Sequence, residues 1–243
     1  MNALEVKNLV KRFDGVHAVD HLSLAIEQGR VTAFVGPNGS GKTTLMHLLS
    51  GVFAFDGGQV SIDNVALSNI APNDIATLGI TRTFQSVRLF NQMSVLDNIL
   101  VVLTERGVWA SLFERHTQFH LEKAKEVLEF VGLWDKRAEN VDGLSYGQRK
   151  LLEIARVLAM NSQIILLDEP FAGLFPEVVK KVRGAVLHLR EQGKTVVLIE
   201  HNMQLIRELA DHVYVLDSGK LLAEGKPEHV LSERKVIEAY LGE

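Results

Sequence analysis

Apolar residues in the first third of the chain recur with strand periods. Leu22, Leu24 and Ile26 alternate with polar neighbours, as on a half-buried strand, and Gln28-Gly29 makes the turn that follows. The apolar, β-rich run at 31–35 predicts a strand, and 44–50 predicts a helix that Gly51 ends as a C′ residue. Residues 4–9, 59–62 and 80–84 read as further strands. From Ser94 to about residue 160 the period becomes helical. Ser94 with Asp97 marks a helix start, and Leu121, Ala124, Val127, Leu128 and Val131 line one helix face that Gly132 terminates. A long helix is expected over 149–160. Beyond it, 164–167 and 195–199 are short apolar runs of the kind covered on both faces, 176–191 and 203–210 read as helices, and 213–216 and 221–223 read as strands about an Asp217-Ser218-Gly219 turn. Strand–helix alternation implies an α/β fold with a mainly parallel sheet. The helical stretch, about 87–159, reads as a subdomain inserted into a core of about 1–86 and 160–243.

One turn in this pattern carries chemistry. Gly36-Pro37-Asn38-Gly39-Ser40-Gly41-Lys42-Thr43 fits the phosphate-binding pattern G-x-x-x-x-G-K-[ST], and it lies between the strand at 31–35 and the helix that runs through Thr44. Small residues let several backbone N–H groups turn inward around an anion, and the helix start near Gly41 aims its positive end at the same point. Lys42 is placed to reach the outer phosphates, and the Thr43 hydroxyl to hold Mg²⁺. A nucleoside triphosphate is the expected ligand.

Two further groups follow. Asp168 and Glu169 sit at the C-terminal tip of the apolar run 164–167, the edge at which open α/β sheets bind ligands. Asp168 is placed to orient Mg²⁺, and Glu169, facing the other way, to polarise water. Adjacent carboxylates also occur where a strand merely meets solvent; the upstream phosphate loop favours the catalytic reading. Leu144-Ser145-Tyr146-Gly147-Gln148 opens the long helix, with Ser145 and Gln148 at capping-box spacing. A Ser hydroxyl and N–H groups at a helix start also suit an anion. A second anion site beside a complete triphosphate cradle suggests nucleotide shared between two subunits.

Composition narrows the setting. The 243 residues contain no cysteine, which removes disulfide and zinc–thiolate frameworks, and carry a formal net charge of −4 with no basic stripe, so nucleic acid is not an expected partner. No apolar stretch approaches a membrane span and the N-terminus has no signal-like core, so a cytosolic protein is expected, one that must dock to something embedded if it works at a membrane.

In order along the chain stand the phosphate loop, Gln85, the Leu-Ser-Tyr-Gly-Gln segment, the apolar strand ending in Asp168-Glu169, and His201 after another apolar strand. In this order they resemble the ATP-binding subunits of ABC transporters over essentially the whole chain. Arg82-Thr83-Phe84-Gln85, Val87-Arg88-Leu89-Phe90, Ile199-Glu200-His201 and Ala239-Tyr240-Leu241-Gly242-Glu243 resemble the ATPases of branched-chain amino-acid importers; lipopolysaccharide-export ATPases are close relatives. The resemblance implies a P-loop NTPase (RecA-like) fold with an N-terminal antiparallel β part and a helical subdomain. It implies ATP and Mg²⁺ as ligands, and a dimer in which Ser145 and Gly147 act in trans on the partner's ATP. By the same resemblance Phe13 stacks on adenine, Gln85 touches Mg²⁺ and the attacking water, and His201 contacts the γ-phosphate and steadies Glu169. Residues 86–98, with Leu89, Phe90 and Met93, are expected to meet one of two membrane permease subunits, and a solute-binding protein is an indirect partner. Tyr146 stands where the commoner signature has Gly. Phe175 stands where Asp or Asn usually links the two ATP sites, which puts that communication in question. A soluble, non-transport ABC protein is a further alternative, disfavoured by the single cassette and the lack of basic arms.

Overall fold

In the computed structural model, residues 1–103 and 118–241 are described; Gly242 and Glu243 of the C-terminal segment lie outside them, as does part of the expected helical stretch. Contacts divide the described residues into two compact units, one drawn from Met1–Arg82, Ser162–Pro170 and Val186–Glu243, the other from Thr83–Asn161 and Phe171–Ala185.

The first unit holds two sheets. Strands β1 (Asn2–Phe13) and β2 (Val16–Glu27) form a long hairpin, to which β4 (Gly57–Ile62) and β5 (Val65–Leu67) add in the order β2-β1-β4-β5, all antiparallel. The β4–β5 turn at Asp63-Asn64 has φ of 48° and 65°, left-handed values that Asp and Asn tolerate in tight hairpins. The second sheet runs β10-β9-β3-β8-β7-β6. Its members are β3 (Val31–Val35), β6 (Ile80–Arg82), β7 (Ile164–Asp168), β8 (Thr195–Ile199), β9 (His212–Asp217) and β10 (Lys220–Gly225). Every pair is parallel except β9–β10. All residues of β3, β7 and β8 are buried, which is why they are mainly apolar rather than alternating, with Thr32, Asp168 and Thr195 their polar members. One core joins inward residues of both sheets, including Leu4, Leu22, Ile26, Phe34, Leu166 and Tyr214, to Leu45, Met46 and Leu49 of helix α1 (Lys42–Leu49).

The second unit is helical. Its members are α2 (Val95–Leu103), α3 (Gln118–Val131) and α4 (Tyr146–Ala159), and their buried faces carry Val95 and Ile99, Val127 and Leu128, and Leu151, Leu152 and Ala155. Helix α5 (Pro176–Glu191) supplies its first residues to this unit and its last to the other. Residues 171–185, assigned to the core by their place after β7, belong here. Lys181 donates to the Val131 carbonyl at 2.9 Å, and the Val178 side chain packs where Gly147 has no Cβ. Helices α6 (Met203–Leu209), α7 (Pro227–Val230) and α8 (Arg234–Leu241) complete the chain.

The structure corrects several expected boundaries. The strand expected over 80–84 ends at Arg82, because only Ile80, Thr81 and Arg82 find parallel partners on β7. Gln85 is therefore not at a strand end but in an exposed bend three residues later. Helix α4 starts at Tyr146 behind Ser145 as N-cap and α1 at Lys42 behind Gly41, as the capping-box spacing and the helix start expected near Gly41 require; the apolar runs at 149–160 and 44–50 mark only their later turns. Strand β5 and helices α7 and α8 had no expectation attached; β5 and α7, of three and four residues, are too short for periodicity to register.

Candidate active site

The phosphate loop spans the turn from β3 to α1. Gly36, Gly39 and Gly41 have φ of +146°, +82° and +98°, a region L side chains avoid. Space adds a second constraint at two of them. A Cβ on Gly36 would collide with the Leu216 carbonyl, and one on Gly41 with the Ala18 carbonyl. Gly41 is the N-cap of α1, so no side chain caps the helix, and its first N–H groups face the turn. Thr43 is exposed on the first turn, Thr44 half-buried, Pro37 half-buried, Asn38 exposed and Ser40 buried.

Lys42 is 6% exposed. Its Nζ donates to the carbonyls of Gly36 (2.8 Å) and Pro37 (2.9 Å) and to the Ser40 hydroxyl (3.2 Å). Burial pulls its pKa below the ordinary lysine value, while the carboxylates of Glu169 and Asp168 pull the other way and favour the ammonium.

The two carboxylates at the end of β7 have different surroundings. Asp168 is 2% exposed and its Oδ2 accepts from Arg82 Nη2 at 2.9 Å. Arg82 Nη1 also donates to Ser50 Oγ at 2.6 Å, at the C-cap of α1, and Ser50 donates to the Met46 carbonyl at 2.6 Å. Arg82 thus ties the end of β7 to the end of the phosphate-loop helix. Glu169 has φ of +46°, uncommon for a residue with a side chain, and its N–H donates to the Ile199 carbonyl at 3.1 Å. Its Oε1 meets His201 Nε2 at 3.1 Å. The loop after β8 is fixed by Glu200, 5% exposed, whose Oε2 accepts from the N–H groups of His201 (2.9 Å) and Asn202 (3.2 Å). Asn202 in turn caps α6. In the sequence, Glu200 and Arg82 serve only as markers of the resemblance, with no role of their own. A buried charge within a strand or at its tip was the available signal for each.

The first unit therefore brings together the phosphate loop, Lys42, Asp168, Glu169 and His201. Phe13, 39% exposed at the end of β1, sits edge-on to Phe53 with centroids 5.3 Å apart. The remaining expected residues lie on the second unit. Gln85 is exposed there. At the start of α4, Gln148 N–H donates to Ser145 Oγ (3.3 Å) and Ser145 N–H to Gln148 Oε1 (2.9 Å), a complete capping box. Leu144 is buried. Tyr146 is 50% exposed, its hydroxyl directed at the Ala172 carbonyl at 3.5 Å. At Gly147 a Cβ would sit 3.1 Å from Val178 Cγ2. Phe175 is 81% exposed.

The sequence matches the ABC transporter family over residues 19–172, and a family described as branched-chain amino acid ATP-binding cassette transporter over 220–243. A probable branched-chain amino acid transport ATP-binding protein, LivG, of Archaeoglobus fulgidus is 36% identical over all of this chain and 96% of its own length. The high-affinity branched-chain amino acid transport ATP-binding protein BraF of Pseudomonas aeruginosa is 38% identical over 99% of this chain and 98% of its own. Among solved structures, the ADP conformation of an ATP-binding cassette of an ABC transporter superposes with a TM-score of 0.87 at 36% identity, covering 100% of both chains. A dimeric, post-hydrolysis cassette bound to ADP and phosphate gives 0.80 at 26% identity, over 92% of this chain and 98% of that one. With its phosphate loop, paired carboxylates and signature helix, the chain belongs to the ABC transporter family and is an ATP-hydrolysing, ATP-binding cassette.

Proposed function

We propose that this chain drives an importer of branched-chain or other amino acids, as one of two ATPase subunits beneath two membrane permeases fed by a solute-binding protein. The full-length likeness to LivG and BraF and the C-terminal match support the substrate class. They also leave the lipopolysaccharide-export alternative without comparable support. Among the described residues no helix is long and apolar enough to cross a membrane, and a subunit peripheral to the membrane's cytoplasmic face needs none. Phe90 and Met93, 46% and 37% exposed, supply an apolar face on 86–98 suited to permease docking.

The observation that carries the catalytic reading is the Glu169–His201 pair, 3.1 Å apart at the C-terminal edge of the parallel sheet. Lys42 and the backbone N–H groups of 38–44 bind the phosphates, with Phe13 on the adenine. The donor set fits Mg²⁺. The Thr43 hydroxyl and the Asp168 carboxylate of the first unit are hard oxygen donors that would hold the ion, and the resemblance adds the Gln85 side chain. The ion would neutralise charge on the outer phosphates. Glu169 accepts a hydrogen bond from the attacking water and polarises it; His201 holds the carboxylate in place and faces the γ-phosphate. Ser145, Gly147 and the first N–H groups of α4 approach the partner's ATP, so the dimer closes on nucleotide and opens once the γ-phosphate leaves.

Glu169→Gln keeps the shape and removes the base. The expected outcome is retained ATP binding, an ATP-dependent dimer in light scattering, and turnover lowered at least about 100-fold. Turnover at the wild-type rate would show that Glu169 does not activate the water.

A further inference from the structure

The C-terminal helix reaches the phosphate loop. Gly36, the loop's first residue, lies one position beyond the last rung of β3, where Val35 pairs with Val215 of β9. Its N–H, buried with the residue, has no rung to join and donates to the Tyr240 hydroxyl on α8 at 2.6 Å. Its carbonyl, on the other side of the same Cα, accepts from Lys42 Nζ at 2.8 Å. Two consecutive peptide planes are thus pinned, one by Tyr240 and one by Lys42, and the atom between them is the Cα of a glycine. A glycine imposes no φ of its own. At +146° the conformation is therefore set by what holds the two planes, together with the Leu216 carbonyl that closes against the Cα.

The geometry points to Tyr240 as a positioning residue for nucleotide binding: its hydroxyl fixes the first peptide of the phosphate loop, and through it the carbonyl that aims the Lys42 ammonium. The inference rests on the reading of the loop as the nucleotide site and adds to it a remote residue that tunes affinity. Several features suit Tyr240 to the task. The side chain is half-buried, and burial raises the phenol's pKa above its ordinary value, so the oxygen is a neutral hydroxyl at working pH. Helix α8 is itself seated, through buried Val236 and the buried Val230 and Leu231 just before it, so the hydroxyl has a fixed origin. Without that oxygen the Gly36 N–H is buried and unpaired, an unfavourable state that the peptide relieves by turning. The turn passes through an unrestrained Cα to the carbonyl under Lys42. A residue 204 positions away in sequence then changes how the loop grips phosphate, while touching neither nucleotide nor the reacting water.

The test compares the full-length chain with Tyr240→Phe, Lys42→Ala and Ile237→Ala, using fluorescent mant-ADP as the probe and thermal melting without nucleotide as the control for folding. Tyr240→Phe is expected to weaken mant-ADP binding about five- to tenfold, with the nucleotide-free melting temperature within about 3 °C of wild type. ATP turnover should show the loss in KM, with kcat held within about twofold. Ile237 is exposed on the same helix, and Ile237→Ala should bind as wild type does. Wild-type affinity in Tyr240→Phe overturns the inference, and so does a melting-temperature loss with no change in affinity. Lys42→Ala tests the underlying site separately. If it binds mant-ADP as tightly as wild type, the phosphate-loop reading fails and the inference fails with it. Should Tyr240→Phe prove insoluble, hydrogen exchange on the wild-type chain decides: a Gly36 amide at least about tenfold slower than that of exposed Gly39 supports the bond, and equal rates overturn it.

Discussion

At the start of α1, Gly41 caps the helix in a left-handed conformation and no side chain accepts from the first N–H groups. At the start of α4, Ser145 and Gln148 close a reciprocal box over the same kind of donors. Both turns are glycine-bearing helix starts of the type that receives phosphate, yet their support differs. The capping box is made within four consecutive residues. The phosphate-loop site is fastened by residues far away in sequence: Arg82 on Asp168, Ile199 on Glu169, Tyr240 on Gly36. A locally closed motif survives changes elsewhere in its unit, whereas a site assembled from remote contacts inherits every weakness of the sheet that aligns them.

The largest difference should appear on removing a remote fastener. Arg82 and Asp168 form an ion pair whose side chains are each 3% exposed, and Arg82→Ala leaves a carboxylate buried without its charge partner. A loss of about 3–5 kcal/mol in urea denaturation is expected. A variant that unfolds at the wild-type midpoint would remove the basis for calling the site remotely fastened.

Ser145→Ala probes the opposite case. As a cap alone, Ser145 contributes about 1 kcal/mol, which is the expected loss in the same denaturation. As a ligand for the partner's phosphate it matters more in turnover, where a fall of at least about tenfold is expected with folding intact. An ATPase rate that falls no further than stability accounts for would reduce the signature to a helix cap.

The smallest effect is expected behind the phosphate loop. Asp20 on β2 belongs to its scaffold: Asp20 N–H donates to the Gly219 carbonyl at 2.9 Å, and Gly219 N–H to the Ser40 carbonyl at 3.2 Å. Hydrogen bonds from His21 first, then His17 and Lys220, hold the Asp20 carboxyl well below its ordinary value of 3.8. A carboxylate with a depressed folded pKa stabilises fully above its unfolded value, and the gain disappears as pH falls through the folded one. Asp20→Asn should therefore melt slightly lower than wild type at pH 7, with the gap narrowing below about pH 4. A gap that is unchanged in acid would show that the carboxylate's charge is not what its neighbours recognise.

Much of this fold was legible. Helix α5 and strands β3 and β8 have the bounds their apolar runs predict, since a fully covered strand or a long amphipathic helix leaves a pattern no turn imitates. The ordered motifs placed the chain among ABC cassettes, and the full-length relatives agree. The bend at Gln85 was not legible, because β6 ends where its pairing with β7 ends and β7 is remote in sequence; short β5 and α7 hold too few residues to leave a pattern.

The chain's local chemistry determined by itself the capping box of α4 and the carboxylates at the tip of β7, because those choices depend on neighbours within a few residues. Only the tertiary structure decided that Arg82 serves Asp168, that Ile199 holds Glu169, and that Tyr240 meets Gly36. The first two pairs are brought together by the order of strands in a sheet and the third by the seating of α8, and no local propensity specifies either arrangement.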